Sequence, residues 1–301
     1  MNRSLGKSGT TLIGIALAII AMVCFAALDT ITKYVSASVP LFMAIWFRYT
    51  VQAVLTTALV LPLRGRAALR TAHPKFQVLR GLLLVSTSLL AFLSLKFMPV
   101  GEFTAVVMIA PLIITLLAAT MLGEKVSPLR WALVAGGFTG TLVIIQPGHD
   151  VFEWHTLLPV ALAFLMAWFQ TLTSKLAKTE DPVTMHLYTG WVGALVAALG
   201  LPFVWQSLPS LKLWGLMALV GVLGAVGHFL LILAYQRSPA ATLTPYLYTQ
   251  IGFAMMGGWL VFSHVPDGFA FLGMTMIAVC GAAGAWLVVR EGKMTIEPAD
   301  S

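Results

Sequence analysis

Charged residues are scarce in this sequence. Only 10% of its 301 residues are Asp, Glu, Lys or Arg, whereas a soluble domain of this size carries roughly 25%. Hydrophobic residues make up 59% of the chain, and its mean hydropathy is +0.93. The scarcity of charge therefore excludes a soluble globular protein and indicates a protein embedded in a lipid bilayer.

Cysteine and cofactor motifs are also scarce. The two cysteines, Cys24 and Cys280, both fall inside apolar runs, so we expect them to pack in the interior without forming a disulfide. The sequence contains no metal-ligand spacing, no haem motif and no glycine-rich nucleotide loop. We therefore predict no metal, no cofactor and no ATP hydrolysis. An intramembrane enzyme would need a nucleophile–base pair or a metal cluster, so we predict no catalytic residues.

Long apolar runs are abundant, and there are ten of them. They cover residues 11–35, 41–63, 76–97, 101–122, 129–146, 156–175, 183–205, 213–235, 240–262 and 269–289. About 20 apolar residues suffice to cross the hydrocarbon layer as a helix. The fold class predicted is thus an all-α integral membrane protein with ten transmembrane helices.

The basic residues mark one side of the membrane. The net charge is +7, but Lys and Arg stand at the ends of apolar runs, which indicates membrane topology and no nucleic-acid partner. They are concentrated in alternate connections, whereas residues 148–155 and 263–268 have none. The connection after the second run holds Arg64, Arg66, Arg70 and Lys75, and we count Arg80 with it. This asymmetry predicts that both termini are cytoplasmic.

The order of features in the first five runs is repeated in the last five. Pro111 lies in the fourth run and Pro245 in the ninth, and a glycine-rich run follows each. Since five is an odd number, the second copy must be inverted relative to the first, as in many secondary transporters. We predict two inverted five-helix repeats around a central cavity, with Pro111 and Pro245 as hinges.

The predicted boundaries follow from this repeat. Residues 1–10 form a cytoplasmic N-terminal tail, and residues 291–301 form a cytoplasmic C-terminal tail. Residues 11–147 form the first repeat and residues 156–290 the second, with an outer connecting loop at residues 148–155.

Three charged residues of the first repeat are candidates for the site. Asp29 and Lys33 are one helical turn apart, so they share a face of the first helix. They are suited either to the ammonium and carboxylate of a bound zwitterion or to an internal ion pair. Arg48 is suited either to a structural pair with Asp29 or to lining the outer mouth. Ser88 and Phe92 in the third helix are weaker candidates.

The second repeat contributes polar and aromatic candidates. His228 lies near the middle of the eighth run, where it is suited to proton coupling or to a hydrogen bond with a neighbouring backbone. In the ninth run the spacing of Tyr246, Thr249 and Gln250 places them on one face, either to orient a polar solute or to bond between helices. The sixth run offers Trp168, Gln170 and Thr171, and Trp168 is suited either to stacking on substrate or to packing against lipid.

Small residues leave two further alternatives open. Gly221, Gly224 and Gly227 form a small face that favours close approach of another helix or leaves room for a ligand. Gly281 and Gly284 are suited either to a homodimer face or to packing against the fifth helix. The sequence is therefore compatible with a monomer or a homodimer.

Several short motifs carry a family resemblance over residues 12–289. They are AALDTITK at residues 26–33, WFR at residues 46–48, RG at residues 80–81, AP at residues 110–111 and LGE at residues 122–124. In this order and spacing they resemble the ten-helix EamA-type branch of the drug/metabolite transporter superfamily. The second half departs from the family pattern, because Gln250-Ile251 and Ser263-His264 stand where the family often repeats Glu-Pro and Gly-Glu.

The resemblance implies a function as well as a fold. It implies a helical bundle in a bacterial inner membrane that moves small polar metabolites by alternating access. The pattern is most similar to exporters of neutral or aromatic amino acids, which is our first expectation. Uptake of a larger metabolite, of the S-adenosylmethionine or riboflavin kind, is the alternative, and an intramembrane enzyme or a channel is more distant.

Overall fold

The computed structural model of the protein describes residues 7–110, 112–113, 127–146, 153–177, 179–238, 243 and 246–294. The first half holds helices α1 (Lys7–Val35), α2 (Leu41–Arg64), α3 (Pro74–Phe97), α4 (Val100–Val107) and α5 (Pro128–Ile145). The second half holds α6 (Leu158–Leu176), α7 (Pro182–Val204), α8 (Leu211–Arg237), α9 (Thr249–Phe262) and α10 (Gly268–Met294). Two short 3-10 helices, Gly65–Leu69 and Trp154–Leu157, complete the described elements. The all-helical prediction is confirmed.

Five of the described helices are long and apolar enough to cross a membrane. They are Thr11–Val35 in α1, together with α2, α3, α7 and α8. Shorter apolar helices cover Trp131–Ile145, Thr249–Phe262 and Gly268–Gly284. The two predicted hinges, Pro111 and Pro245, lie outside the described residues.

Local sequence signals explain where several helices begin. Proline stands in the first turn of α3, α5, α6 and α7, where its missing N–H breaks no helical hydrogen bond. Asp181 caps α7, and its Oδ1 accepts hydrogen bonds from the backbone nitrogens of Val183 at 2.8 Å and Thr184 at 3.3 Å. This cap satisfies two amides that the helix itself leaves unpaired.

Most of the extensive packing joins a helix of the first half to one of the second. Helix α1 packs along α8 and also contacts α9, while α6 packs along α3 and also contacts α4. Helices α2 and α7 pack against each other, and α2 extends onto α8 as α7 extends onto α3. Helix α4 packs on α9 and α5 on α10. The core is therefore shared by both halves.

The glycine face of α8 is used for close helix packing. A Cβ built at Gly221 would lie 2.5 Å from the Val51 Cβ, and one built at Gly227 would lie 2.7 Å from the Phe25 ring. Any side chain at these two positions would push α8 away from α2 and α1. Of the two alternatives for this face, the structure shows close approach.

The glycines of α10 also face the chain itself. A Cβ built at Gly140 of α5 would lie 2.8 Å from the Gly273 carbonyl oxygen of α10. Gly281 lies against the Tyr248 ring, and a Cβ at Gly284 would meet Leu112 at 3.7 Å and Leu133 of α5 at 4.0 Å. Gly281 and Gly284 therefore pack against residues of their own chain, and Gly284 contacts the fifth helix as one alternative predicted.

We expect Gly140→Val to destabilise the protein, because the new side chain would meet the Gly273 carbonyl oxygen of α10. Overpacking of this kind costs about 1–3 kcal/mol. Thermal unfolding followed by tryptophan fluorescence should show a lowered Tm. The matched control is Gly252→Ala, since a Cβ at Gly252 meets nothing within 4 Å. Equal Tm values for the two variants would contradict the described packing of α5 on α10.

Candidate substrate site

A central cavity of about 750 Å³, including its opening, lies between the two halves. Its walls come from α1, α2, α3 and α4 on one side and from α6, α8 and α9 on the other. The aromatic part of the lining is Phe25, Phe103 and Phe169, and the thioether part is Met22, Met108 and Met166. The polar part is Asp29, Arg48, Thr87, Ser88, Thr104, Gln170, His228 and Gln250. The cavity is thus apolar with a few convergent polar groups, as small-molecule sites usually are.

Asp29 of α1 is bound to the second half through Gln250 of α9. Its Oδ2 accepts a hydrogen bond from Gln250 Nε2 at 3.2 Å. Asp29 is 8% exposed and Gln250 7% exposed, so the bond is made in the interior, at the wall of the cavity. A carboxylate withdrawn from water needs such a donor, and a substrate donor could share it.

Arg48 of α2 forms the second polar link across the cavity. Its Nη2 donates to His228 Nε2 of α8 at 3.2 Å. Arginine has only donors, so Nε2 must be the acceptor and His228 must be neutral, with its proton on Nδ1. The rings of Phe25 and Phe169 flank the imidazole, with centroids 4.7 and 6.0 Å away. His228 is therefore bonded to a side chain and not to the neighbouring backbone.

Helix α8 leaves space for this arginine. A Cβ at Gly224 would lie 3.2 Å from Arg48 Nε, so the glycine admits the guanidinium between α2 and α8. The Nε itself is buried without a hydrogen-bond partner among the described residues. Arg48 was expected either to pair with Asp29 or to line the outer mouth. Its hydrogen bond is to His228, and it also lies close enough to Asp29 for an electrostatic interaction.

Ser88 of α3 lies in the cavity wall and is held by Tyr49. The Tyr49 hydroxyl lies 2.7 Å from Ser88 Oγ and 2.8 Å from the Leu84 carbonyl oxygen. Phe92 lies one turn further along α3, in an adjoining space of about 360 Å³ that also touches Asp29 and Arg48. This space reaches Val35, at the end of α1, so it extends the central cavity toward that end of the bundle.

The structure brings six of the predicted residues together in the central cavity: Asp29, Arg48, Ser88, Gln170, His228 and Gln250. It places the other six candidates outside this lining, with Phe92 in the adjoining space. Lys33 points away, and its Nζ donates to the carbonyl oxygens of Leu95 at 3.0 Å and Met98 at 2.7 Å. Lys33 therefore bonds carbonyl oxygens at the carboxyl end of α3, where a cation is favoured. It does not form the expected ion pair with Asp29.

The other four candidates outside the cavity lining are Trp168, Thr171, Tyr246 and Thr249. Trp168 is 50% exposed, which favours packing against lipid over stacking on a solute. Thr171 Oγ1 donates to the Ala167 carbonyl oxygen at 2.8 Å. Thr249 Oγ1 donates to the carbonyl oxygen of Tyr246 at 2.6 Å. Each of these threonine hydroxyls spends its donor on a local carbonyl oxygen and keeps only its acceptor lone pairs for another partner.

Sequence reasoning missed the aromatic wall and one buried arginine. Phe169 faces the cavity although its neighbour Trp168 had been chosen. Helical spacing could have identified it, because Met166, Phe169 and Gln170 are three or four residues apart and so share one face of α6. Arg80 was counted among the loop charges, but it lies inside α3 and is 1% exposed. Its charge is therefore not part of the topology signal.

We expect Gln250→Leu to destabilise the protein, because it leaves the buried Asp29 carboxylate without its donor. Loss of one partner of a buried hydrogen bond costs about 1–3 kcal/mol. The double variant Asp29→Leu/Gln250→Leu should recover part of this loss, since neither polar group then remains. Tm values of the single and double variants test this. A double variant less stable than the sum of both singles would contradict the pairing.

Comparisons with known proteins agree with this architecture. The model of the EamA-like transporter family matches residues 12–146. A riboflavin transporter of Rhizobium johnstonii is 31% identical over 289 residues, which cover 93% of this chain and 92% of the relative. An S-adenosylmethionine uptake transporter of Rickettsia bellii is 26% identical, over 88% of this chain and 90% of the relative.

A solved crystal structure shows a similar fold. It superposes with a TM-score of 0.66 at 21% sequence identity and covers 95% of this chain and 99% of its own. Likeness at this identity concerns the fold alone. The extent and identity of the sequence matches carry the family assignment, and the apolar helices agree with a membrane protein. The chain is therefore a multi-pass membrane protein that belongs to the EamA-like transporter family.

Proposed function

We propose that this chain is a secondary transporter for the uptake of a heteroaromatic metabolite of the riboflavin or S-adenosylmethionine kind. The central cavity, with its aromatic walls and buried polar pairs, is the observation that carries this proposal. The names of the two relatives support the alternative expectation of a larger metabolite and give no support to amino-acid export. Both relatives are named as transporters, which agrees with the absence of predicted catalytic residues.

The cavity suits a flat ring system. Its lining is mostly apolar and includes aromatic side chains, as is usual for small-molecule sites. Phe25 and Phe169 offer aromatic faces, and methionine side chains adapt to irregular ring edges. A heteroaromatic ring can therefore stack in the cavity without requiring a compensating charge.

The polar groups suit a solute that is neutral or zwitterionic. Asp29 and Arg48 bring one negative and one positive charge to the lining, and each is bonded to an uncharged partner, Gln250 or His228. Ring nitrogens and carbonyls of the solute can exchange hydrogen bonds with these pairs.

The helix packing supports the inverted repeat that alternating access requires. If α1–α5 are exchanged with α6–α10, the α1–α8 pair becomes the α6–α3 pair, and the α2–α8 pair becomes the α7–α3 pair. The pairs α2–α7, α4–α9 and α5–α10 are exchanged with themselves. We propose residues 11–147 and 156–290 as the two repeats, which rock against each other around the cavity.

Contacts between loops close one end of the bundle. Arg64 Nη1 lies 2.8 Å from Asp181 Oδ2, and Thr184 Oγ1 donates to the Ala68 carbonyl oxygen at 2.8 Å. The Ala72 backbone nitrogen donates to Glu180 at 3.1 Å. From the basic residues of this connection and the positive-inside rule, we propose that this end and both termini are cytoplasmic. The proposed state is therefore closed on the inside.

Transport in proteoliposomes tests the function. We expect saturable uptake of labelled riboflavin or S-adenosylmethionine, and we expect Phe169→Ala to reduce uptake at low substrate concentration about tenfold. This corresponds to about 1.4 kcal/mol, the size of one lost aromatic contact. The adjacent substitution Trp168→Ala is the matched control and should leave uptake near wild type.

The same assay can contradict the proposal. Uptake of labelled tryptophan and of a labelled neutral amino acid is measured separately in vesicles of the same preparation. Saturable flux of these amino acids, with none of riboflavin or S-adenosylmethionine, would return the assignment to amino-acid export. If Phe169→Ala and Trp168→Ala reduce uptake equally, the central cavity is not the substrate site.

A further inference from the structure

A second cavity adjoins the central one at its cytoplasmic side. It is narrower than the central cavity and shares Phe169, Gln170 and His228 with it. Beyond these residues it is lined by Arg80 of α3 and by His186 of α7. We call this space the Arg80 chamber. It lies between the substrate site and the loop contacts at residues 64–72 and 180–184.

Arg80 is buried and has only neutral partners. It is 1% exposed, and its Nε donates to Thr173 Oγ1 of α6 at 3.0 Å. Its Nη1 donates to Gln77 Oε1 at 3.1 Å and to the Met185 carbonyl oxygen of α7 at 3.2 Å. The guanidinium also lies over the Phe169 ring, 5.4 Å from its centroid. Within the described residues, no hydrogen bond occupies Nη2.

No described carboxylate balances this charge. Glu180 and Asp181, which precede α7 and its chamber residue His186, have other partners. Glu180 accepts from the Ala72 backbone nitrogen and lies 3.7 Å from His73 Nδ1, while Asp181 pairs with Arg64 and caps α7. A buried charge without a counter-charge is strongly unfavourable, so the chamber favours an ion of opposite sign.

The other polar groups around Arg80 are compatible with an anion. His186 is 4% exposed, and its carbonyl oxygen accepts from Gln52 Nε2 at 3.2 Å. Thr189 Oγ1 donates to the Met185 carbonyl oxygen at 2.8 Å, so that oxygen already has two donors. These hydrogen bonds join α2, α3, α6 and α7. Arg80 is thus held in a network of buried hydrogen bonds, and within the described residues its Nη2 is the donor that this network leaves free.

We propose that the Arg80 chamber binds a small monovalent anion, with the free Nη2 edge of Arg80 as its principal ligand. One guanidinium charge matches one negative charge, and the limited space suits a halide or a single carboxylate group. The anion links α3, α6 and α7 beside the closed end of the bundle. This proposal goes beyond the proposed function, because it holds whatever metabolite occupies the central cavity.

Thermal unfolding of the full-length protein tests the site. Purified protein is titrated with sodium chloride or sodium formate against sodium gluconate at constant ionic strength, and tryptophan fluorescence reports Tm. We expect a saturable rise of about 2–4 °C when the anion reaches about ten times its Kd. Formate represents the carboxylate of a larger solute. A response to chloride alone assigns the site to an inorganic anion, and a response to formate as well extends it to carboxylates.

Two arginine variants provide the matched comparison. Arg80→Met should abolish the rise in Tm, whereas Arg64→Met, which removes an exposed arginine, should keep it. If Arg80→Met does not fold, the wild-type titration still decides. A wild-type Tm that does not respond to either anion, or an Arg80→Met response equal to wild type, would overturn the proposal.

Discussion

Polar groups inside a bilayer must find partners within the protein, and here they find them across the boundary between the two halves. Asp29 binds Gln250, Arg48 binds His228, and Gln52 binds His186. Arg80 reaches Thr173 and the Met185 carbonyl oxygen. Hydrocarbon offers none of these groups a hydrogen bond, so each link holds the halves together. A transport cycle must break and remake some of these links, and a substrate that supplies equivalent hydrogen bonds lowers the cost of doing so.

The links are arranged along the path that a solute would follow. The outermost, between Asp29 and Gln250, and the central one, between Arg48 and His228, both face the central cavity. The links of Gln52 and Arg80 lie closer to the loop contacts at residues 64–72 and 180–184. In this conformation these links are intact and the loops are paired, which agrees with a bundle that is closed at that end. Glycines of α8 bring the helices close enough for the central link to form.

The fold was largely predictable from the sequence, because the length of apolar runs determines whether a helix can cross a bilayer. The site was predictable only in part. Asp29, Gln170 and His228 were found because a polar residue in an apolar run is conspicuous. Lys33 and Arg80 were misplaced, since a long side chain can reach a helix end or an interior position that its place in sequence does not reveal.

The aromatic wall illustrates a second limit of sequence reasoning. Trp168 and Phe169 are neighbours, and only the rotation of α6 decides which of them faces the cavity. A helix whose sides meet lipid and protein alike shows little contrast between its faces. The expectation of an amino acid came from the family resemblance, whereas the two relatives are named as riboflavin and S-adenosylmethionine transporters. With Lys33 at the end of α3, the cavity retains balanced charge and aromatic surface.

The central claim is that the substrate occupies the cavity between the halves, and protection of a single cysteine tests it most directly. Ser88→Cys would be introduced with Cys24 and Cys280 replaced by alanine, and a membrane-impermeant thiol reagent would be added from outside. The account predicts that the cysteine is labelled and that riboflavin or S-adenosylmethionine, whichever is transported, slows labelling at concentrations that saturate uptake. Labelling at an unchanged rate under saturating transport would contradict it.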